Sequence, residues 1–309
     1  MKKIIAMTLA IVLCLGTCLS LTACGEKKAD FTVGICQLME HESLDKATQG
    51  FKAALTAALE AEGKTVAFEE QVAGGSDLCT TVVDTFVAKE VNLIMANATP
   101  ALLAAANATT TIPVLGPSVT DYSDTFSGNI PANVSGTSDA VPFDEQAKMM
   151  VESLKLASGD QVGVLYCSDE SNSKIQYEAV KKEFEKSGIV VKAYTFSETT
   201  ELEALTTTAC DECKAIYVPS DNTVADNDAV VGNICNEKKI PVYTSYGGKI
   251  CYASLAIDYY ALGEETGKMA AEILLGKKTP ADIEVKTLTP TTVYNKELCE
   301  KLGIEVPAE

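Results

Sequence analysis

Residues 31–62 read FTVGICQLMEHESLDKATQGFKAALTAALEAE. The first six form a short apolar, β-branched run, the pattern of a buried strand. From Leu44 the apolar positions recur every three or four residues through Leu59, and Gly63 follows, which is an amphipathic helix with its stop signal. A strand running straight into a helix is the first half of a βαβ unit, and such units build parallel sheets covered on both faces. The link between them, QLMEHESLD at 37–45, lies where a strand's carboxyl end meets a helix start. It holds the only histidine of a 309-residue chain.

The same alternation continues outward. Strand patterns at 65–70, 91–96 and 112–115 alternate with helix patterns at 77–89 and 99–108. A polar interval, 122–141, follows and reads as loop. The alternation then restarts: helix 142–156, strand 161–166, helix 173–187, strand 190–196, helix 198–209, strand 215–218, helix 223–238 and strand 241–244. A tail adds a helix at 261–276, short strands near 283–288 and 291–294, and a helix near 296–302. Two α/β units in tandem, without residue-level repetition, predict two Rossmann-like lobes, each with a parallel sheet. Elements left over after two complete units predict that the chain crosses back between lobes and makes a multi-stranded hinge.

Upstream of residue 31 the chain has the build of a secretory leader: Lys2 and Lys3, an apolar run from Ile4 to about Leu21, then Leu21-Thr22-Ala23-Cys24-Gly25. That order is a bacterial lipobox. It predicts a signal peptide over 1–23, acylation of Cys24 and a polar tether over 24–30, so that the protein is exported and held by acyl chains on the outer face of the cell membrane.

With 43 acidic against 25 basic residues, the chain carries a formal charge of −18. A polyanion of this size will not hold nucleic acid, and it has no basic patch for anionic lipid. Of eleven cysteines, eight lie beyond Cys24. Several sit in apolar runs and are expected to be buried thiols. The lone pair Cys210 and Cys213 flanks two acids, the wrong setting for a redox thiol. No metal site and no cofactor are expected. The chain lacks a nucleophile elbow, a phosphate-binding loop, a dinucleotide fingerprint and a paired-histidine zinc motif, so the residues do not support an enzyme.

Ligands of parallel α/β sheets gather at strand carboxyl ends, where helix starts present unpaired N–H groups. Here those ends are rich in small polar residues: QLMEHES after the first strand, Asn97-Ala98-Thr99-Pro100, 117–121 (PSVTD), 167–173 (CSDESNS), 219–223 (PSDNT) and Asp258-Tyr259-Tyr260. Each cluster also suits helix capping. Their recurrence predicts one shared cleft between the lobes.

The runs QLMEHESLD, IMANATPA, SVTD with NVSGTSD, YVPSDNTVA and AIDYYALGEETGKMAAEILLGK resemble those of bacterial ABC-transporter substrate-binding lipoproteins of the tryptophan/tyrosine-binding group. The likeness spans essentially all of the chain after the leader. It implies a type I periplasmic-binding-protein fold whose two lobes are joined by three crossovers. On that basis the N-terminal lobe is expected over 31–139 with 257–280 returning to it, and the C-terminal lobe over 140–256 with 281–309 returning. The resemblance also implies an aromatic amino acid as ligand, permease and ATPase subunits as partners, and a monomer.

Chemistry narrows the candidates. Because the chain has no arginine, an α-carboxylate must rest on hydroxyls and backbone N–H groups, for which Thr99, Ser171, Asn172 and Ser173 are placed. An α-ammonium needs carboxylates, and Asp121, Asp221, Asp258 and Glu40 stand at strand ends. His41, Asn97, Thr120 and Asn222 complete the polar set. Tyr166, Tyr246, Tyr259 and Tyr260 are candidate ring walls or core residues. A receptor for a nucleoside, sugar or signalling molecule, or a surface adhesin or sensor, is compatible with the same fold.

Overall fold

The computed structural model describes residues 28–306. The leader, Cys24 and most of the tether lie outside them. Among the described residues no helix is long and apolar enough to cross a membrane.

The first sheet holds β1 (Phe31–Gln37), β2 (Val66–Val72), β3 (Leu93–Asn97), β4 (Val114–Val119) and β5 (Val134–Ser138). A two-residue β11 (Lys286–Thr287) joins it late in the chain, giving the order β11-β5-β4-β3-β1-β2 with every pairing parallel. Its helices are α1 (Glu42–Glu60), α2 (Cys79–Ala88), α3 (Thr99–Ala108) and the one-turn α4 (Tyr122–Thr125). Between the sheets in chain order comes α5 (Phe143–Ser153). The second sheet, β12-β10-β9-β8-β6-β7, contains β6 (Gln161–Cys167), β7 (Val190–Phe196), β8 (Ala215–Val218), β9 (Val242–Thr244), β10 (Ala253–Ala256) and β12 (Thr291–Tyr294). Its helices are α6 (Ser171–Lys186), α7 (Leu202–Glu212), α8 (Asn222–Asp226) and α9 (Asp228–Lys238). Only β12 runs antiparallel, against β10.

The chain passes between lobes three times: after β5, between β10 and α10 (Tyr259–Leu274), and between β11 and β12. The last passage corrects the sequence boundary. Residues 281–287 stay with the first lobe, where Ile283 is buried and its carbonyl accepts from the Ser135 hydroxyl at 2.7 Å. A two-residue strand is too short to show a period. The interval read as loop, 122–141, also contains β5. That strand is polar in sequence (VSGTS) yet buried at every position, because its side chains find partners: Thr137 meets Thr266 at 2.9 Å, and Ser138 donates to the Thr120 carbonyl at 2.8 Å.

Each sheet is covered on both faces by apolar clusters, Val33, Ile35, Phe51 and Met95 on one side of the first sheet and Phe86, Ile94 and Leu102 on the other. Helix α10 returns from the second lobe to pack on α1. The approach is closest at Gly263, where an added Cβ would stand 2.0 Å from the Ala47 carbonyl oxygen. Only glycine permits that contact. The eight cysteines of the described residues are buried free thiols. Cys210 lies 3.4 Å from Cys235 rather than pairing with Cys213, whose sulfur meets the Tyr194 hydroxyl.

Candidate functional site

The carboxyl ends of both sheets face one enclosed cavity between the lobes. Its lining comes from His41 and Leu44 at the start of α1, Ser118 near the end of β4, Thr120 just after it, and Asp139 in the first crossover. The other lobe contributes Asn172 of α6, the Ser220-Asp221-Asn222 turn after β8, Ala225 of α8 and Tyr246 after β9; Tyr259 opens α10. The free space is about 10 Å³, room for roughly one water. Beyond His41, Ala225, Tyr246 and Tyr259 lies a wider groove of about 900 Å³.

Two hydrogen bonds close the lobes over this cavity. His41 Nε2 lies 3.3 Å from Asn222 Oδ1, and Gln176 Nε2 donates to Thr120 Oγ1 at 2.9 Å. His41 occupies the N-cap position of α1, but its side chain makes no capping bond. Burial lowers its pKa, opposed by the bond to Asn222 and the nearby Glu170, so the ring is held neutral.

The buried carboxylates differ in their partners. Glu170 accepts from Asn222 N, Asn222 Nδ2, Thr223 N, Thr223 Oγ1 and Asn172 Nδ2, and so fixes the start of α8 against α6. Asp221 accepts from Val224 N at 2.8 Å and Cys167 N at 2.7 Å. Burial first, and Glu170 second, push its pKa up to about 8. Asp139 accepts from two side chains, both hydroxyls, Tyr259 at 2.8 Å and Thr120 at 3.4 Å. Burial raises its pKa as well. Among the described residues neither Asp139 nor Asp221 has a basic partner within hydrogen-bond reach, so the cavity is a place where a cation is favoured.

Three further polar atoms of the lining are buried without a hydrogen-bond partner: Ser118 Oγ, Asn172 Oδ1 and Tyr246 OH. Such atoms cost about 1–3 kcal/mol each when nothing satisfies them. Their convergence makes this cavity the candidate ligand site. Among the lining residues Ser118 has φ 58°, in the region that L-residues avoid.

The profile of the ABC transporter substrate binding protein family matches residues 32–309. The chain belongs to this family. Among the relatives of this substrate-binding protein is the "Tyrosine-binding protein" of Clostridioides difficile (strain R20291). The two are 34% identical over 283 residues, which cover 88% of this chain and 80% of the relative. A Streptococcus pneumonia domain solved in complex with L-Trp superposes with a TM-score of 0.80 at 31% identity, covering 89% of this chain and 96% of that one. The ligand-free, open structure of a Clostridium difficile substrate binding protein with adhesive properties has the same 31% identity, covers 90% and 96%, and gives 0.65. At equal identity, this substrate-binding protein superposes better on the L-Trp complex than on the open structure. Proteins of this family bind a solute for an ABC transporter outside the cytoplasm and are not enzymes, in agreement with the missing catalytic motifs.

Of the sequence candidates, His41, Thr120, Asn172, Asp221, Asn222 and Tyr259 line the cavity, and Tyr246 lines it too. The others stand elsewhere. Glu40 is exposed beside a separate shallow groove. Asn97 ties β3 to α1 through the Leu44 carbonyl and Thr48. Thr99 and Ser173 are buried outside the lining, Ser173 Oγ accepting from Asn172 Nδ2 behind it, and Ser171 is exposed at the start of α6. Asp121 and Asp258 are exposed caps, accepting from Asp124 N and from Tyr260 N and Ala261 N. Tyr166 stacks on Tyr177 in the second lobe, and Tyr260 faces the outer groove. Sequence reasoning missed Ser118, Asp139, Gln176 and Ser220 as individuals. Asp139 follows β5, so recognising that polar strand would have brought it under the strand-end rule.

Proposed function

We propose that this protein is the lipid-anchored receptor of an importer, that it takes up an aromatic amino acid in the interlobe cavity, and that it presents the closed form to a permease. The observation that carries the ligand class is Asp139, a buried carboxylate whose side-chain partners are hydroxyls. In this reading the α-ammonium sits between Asp139, Asp221 and Asn172 Oδ1, an acceptor because Asn172 Nδ2 already donates to Glu170 and to the Ser220 carbonyl. The α-carboxylate meets neutral donors, Ser118 Oγ first, since the chain offers no arginine. The tyrosine- and tryptophan-binding relatives support the choice of ring. Closure follows because contacts from both lobes to one molecule favour the closed state.

A thermal-shift titration on protein beginning after Cys24, unfolded and refolded to remove prebound solute, tests the ligand. A ligand at a thousand times its dissociation constant adds about 4 kcal/mol, a rise of roughly 8–16 °C for a chain of this size. Tryptophan, tyrosine or phenylalanine should move the midpoint while sugars and nucleosides do not. The reverse pattern removes the amino-acid reading. For the anchor, Cys24→Ser should release the protein from the membrane fraction into the medium; retention in the membrane would reject the lipid.

A further inference from the structure

We propose, resting on that reading, that Tyr246 is the gate between the enclosed cavity and the outer groove, that the ligand's ring lodges on the groove side of it, and that this residue therefore sets ring preference. The enclosed space is lined by acids and orphaned polar atoms suited to an amino-acid head group, but at about 10 Å³ it admits neither head group nor ring until a lining residue moves. The groove, about 900 Å³, lies within the range of roughly 300–1,000 Å³ common for small-molecule sites. Four residues belong to both spaces: His41, Ala225, Tyr246 and Tyr259.

Three of them are held. His41 is bonded to Asn222 across the lobes, and the Tyr259 hydroxyl donates to Asp139. Ala225 lies in α8, whose first turn is fixed by Asp221 and Glu170. Tyr246 alone has no such tie, for its hydroxyl is buried without a partner although the residue is only 8% exposed. Swinging the ring outward would free that hydroxyl to meet water and would merge the two spaces. The turn beyond it is held, with Gly247 and Gly248 at φ of 84° and 97° and their carbonyls accepting from Thr244 Oγ1 and Cys251 Sγ, so the move is a rotation of the Tyr246 side chain on a fixed turn. On the far side Ala256, Ile257, Tyr260 and Val293 supply apolar surface for a ring.

The test uses the absence of tryptophan from the chain, so that bound tryptophan is read by its own fluorescence. Phenylalanine and tyrosine are then measured as competitors against wild type, Tyr246→Phe, Tyr246→Leu and Tyr246→Ala. Removing a gate should favour the bulkiest ring, shifting the tryptophan-to-phenylalanine affinity ratio about tenfold in the Ala and Leu variants, the size of effect that one pocket contact controls. Tyr246→Phe keeps the ring volume and should keep the wild-type ratio. An unchanged ratio in whichever of the Ala and Leu variants still binds, or equal weakening of every ring, overturns the gate and leaves the amino-acid reading standing. Failure of wild type to bind any aromatic amino acid removes that reading, and the gate with it.

Discussion

Glu170 and Asp139 are both carboxylates at the cleft, 2% and 5% exposed, and burial does not tell them apart. Their donors do. Glu170 receives five hydrogen bonds, two of them from backbone N–H groups at the start of α8, and nothing is left for it to take. Asp139 receives two from side chains, both hydroxyls. A saturated buried acid is a structural clamp, whereas an under-coordinated one is a receptor for positive charge. Substitution at the two positions should therefore fail in different ways.

The largest effect is expected at Glu170. In Glu170→Gln an amide NH₂ must face N–H and hydroxyl donors that now point at carboxylate oxygen, and each buried donor left unsatisfied costs about 1–3 kcal/mol of stability. Denaturant unfolding should show that loss with ligand absent. A stable variant with weakened binding would reverse the assignment of the two acids.

Next comes Asp139→Asn. Removing one partner of a buried charge contact costs about 2–4 kcal/mol of affinity, roughly 30- to 1,000-fold. The ligand-free protein should keep or gain stability, because an acid that burial disfavours has been replaced by a neutral amide. Calorimetry and thermal unfolding on one sample separate the two quantities, and equal loss in both would make Asp139 another clamp.

The contrast between these acids was only half legible from residue order. Strands β1, β3, β6 and β8 and helices α1 and α6 declare themselves through apolar period, so the two-lobe architecture could be read directly. Strand β5 could not, because VSGTS has no apolar alternation and is buried by hydrogen-bonded hydroxyls instead; Asp139 disappeared with it. The helix-capping acids were ambiguous for a different reason. Asp121 and Asp258 stand at strand ends as a ligand acid would, and the same side chain serves as cap or receptor. Only hydrogen-bond partners decide, and partners such as Gln176 to Thr120 join residues 56 apart in the chain.

A smaller effect, in pH, sharpens the comparison at the third acid. The Asp221 pKa in the folded protein is about 8, above its ordinary 3.8, so the ligand-free site holds a proton near neutrality. A cationic head group favours the carboxylate, so binding expels that proton and affinity rises as pH rises toward 8, by about tenfold for each unit in the limit. Ligand-free stability moves the other way: a raised folded pKa gives stability that is present at low pH and lost as pH rises through the folded value. His41, with its pKa lowered, adds the opposite trend, stability present above its ordinary 6.5 and lost as pH falls through the folded value. Proton release measured by calorimetry in two buffers checks the coupling, and proton uptake would contradict it.

The smallest effect is expected at Ser118, where affinity and backbone strain can be separated. Its hydroxyl is buried without a partner, and its φ of 58° is a conformation that costs an L-residue about 1 kcal/mol or more. Ser118→Ala removes the hydroxyl and keeps the Cβ, so affinity should fall by about 1 kcal/mol, roughly fivefold, because a neutral hydrogen bond is worth that much. Stability should rise slightly, since one unsatisfied buried group is gone. Ser118→Gly removes the same hydroxyl and also the strain, offset by the greater freedom of glycine in the unfolded chain. Both variants should therefore lose the same affinity while differing in stability. If the two differ in affinity as much as in stability, the residue acts through the loop after β4, and the carboxylate contact assigned to its hydroxyl falls.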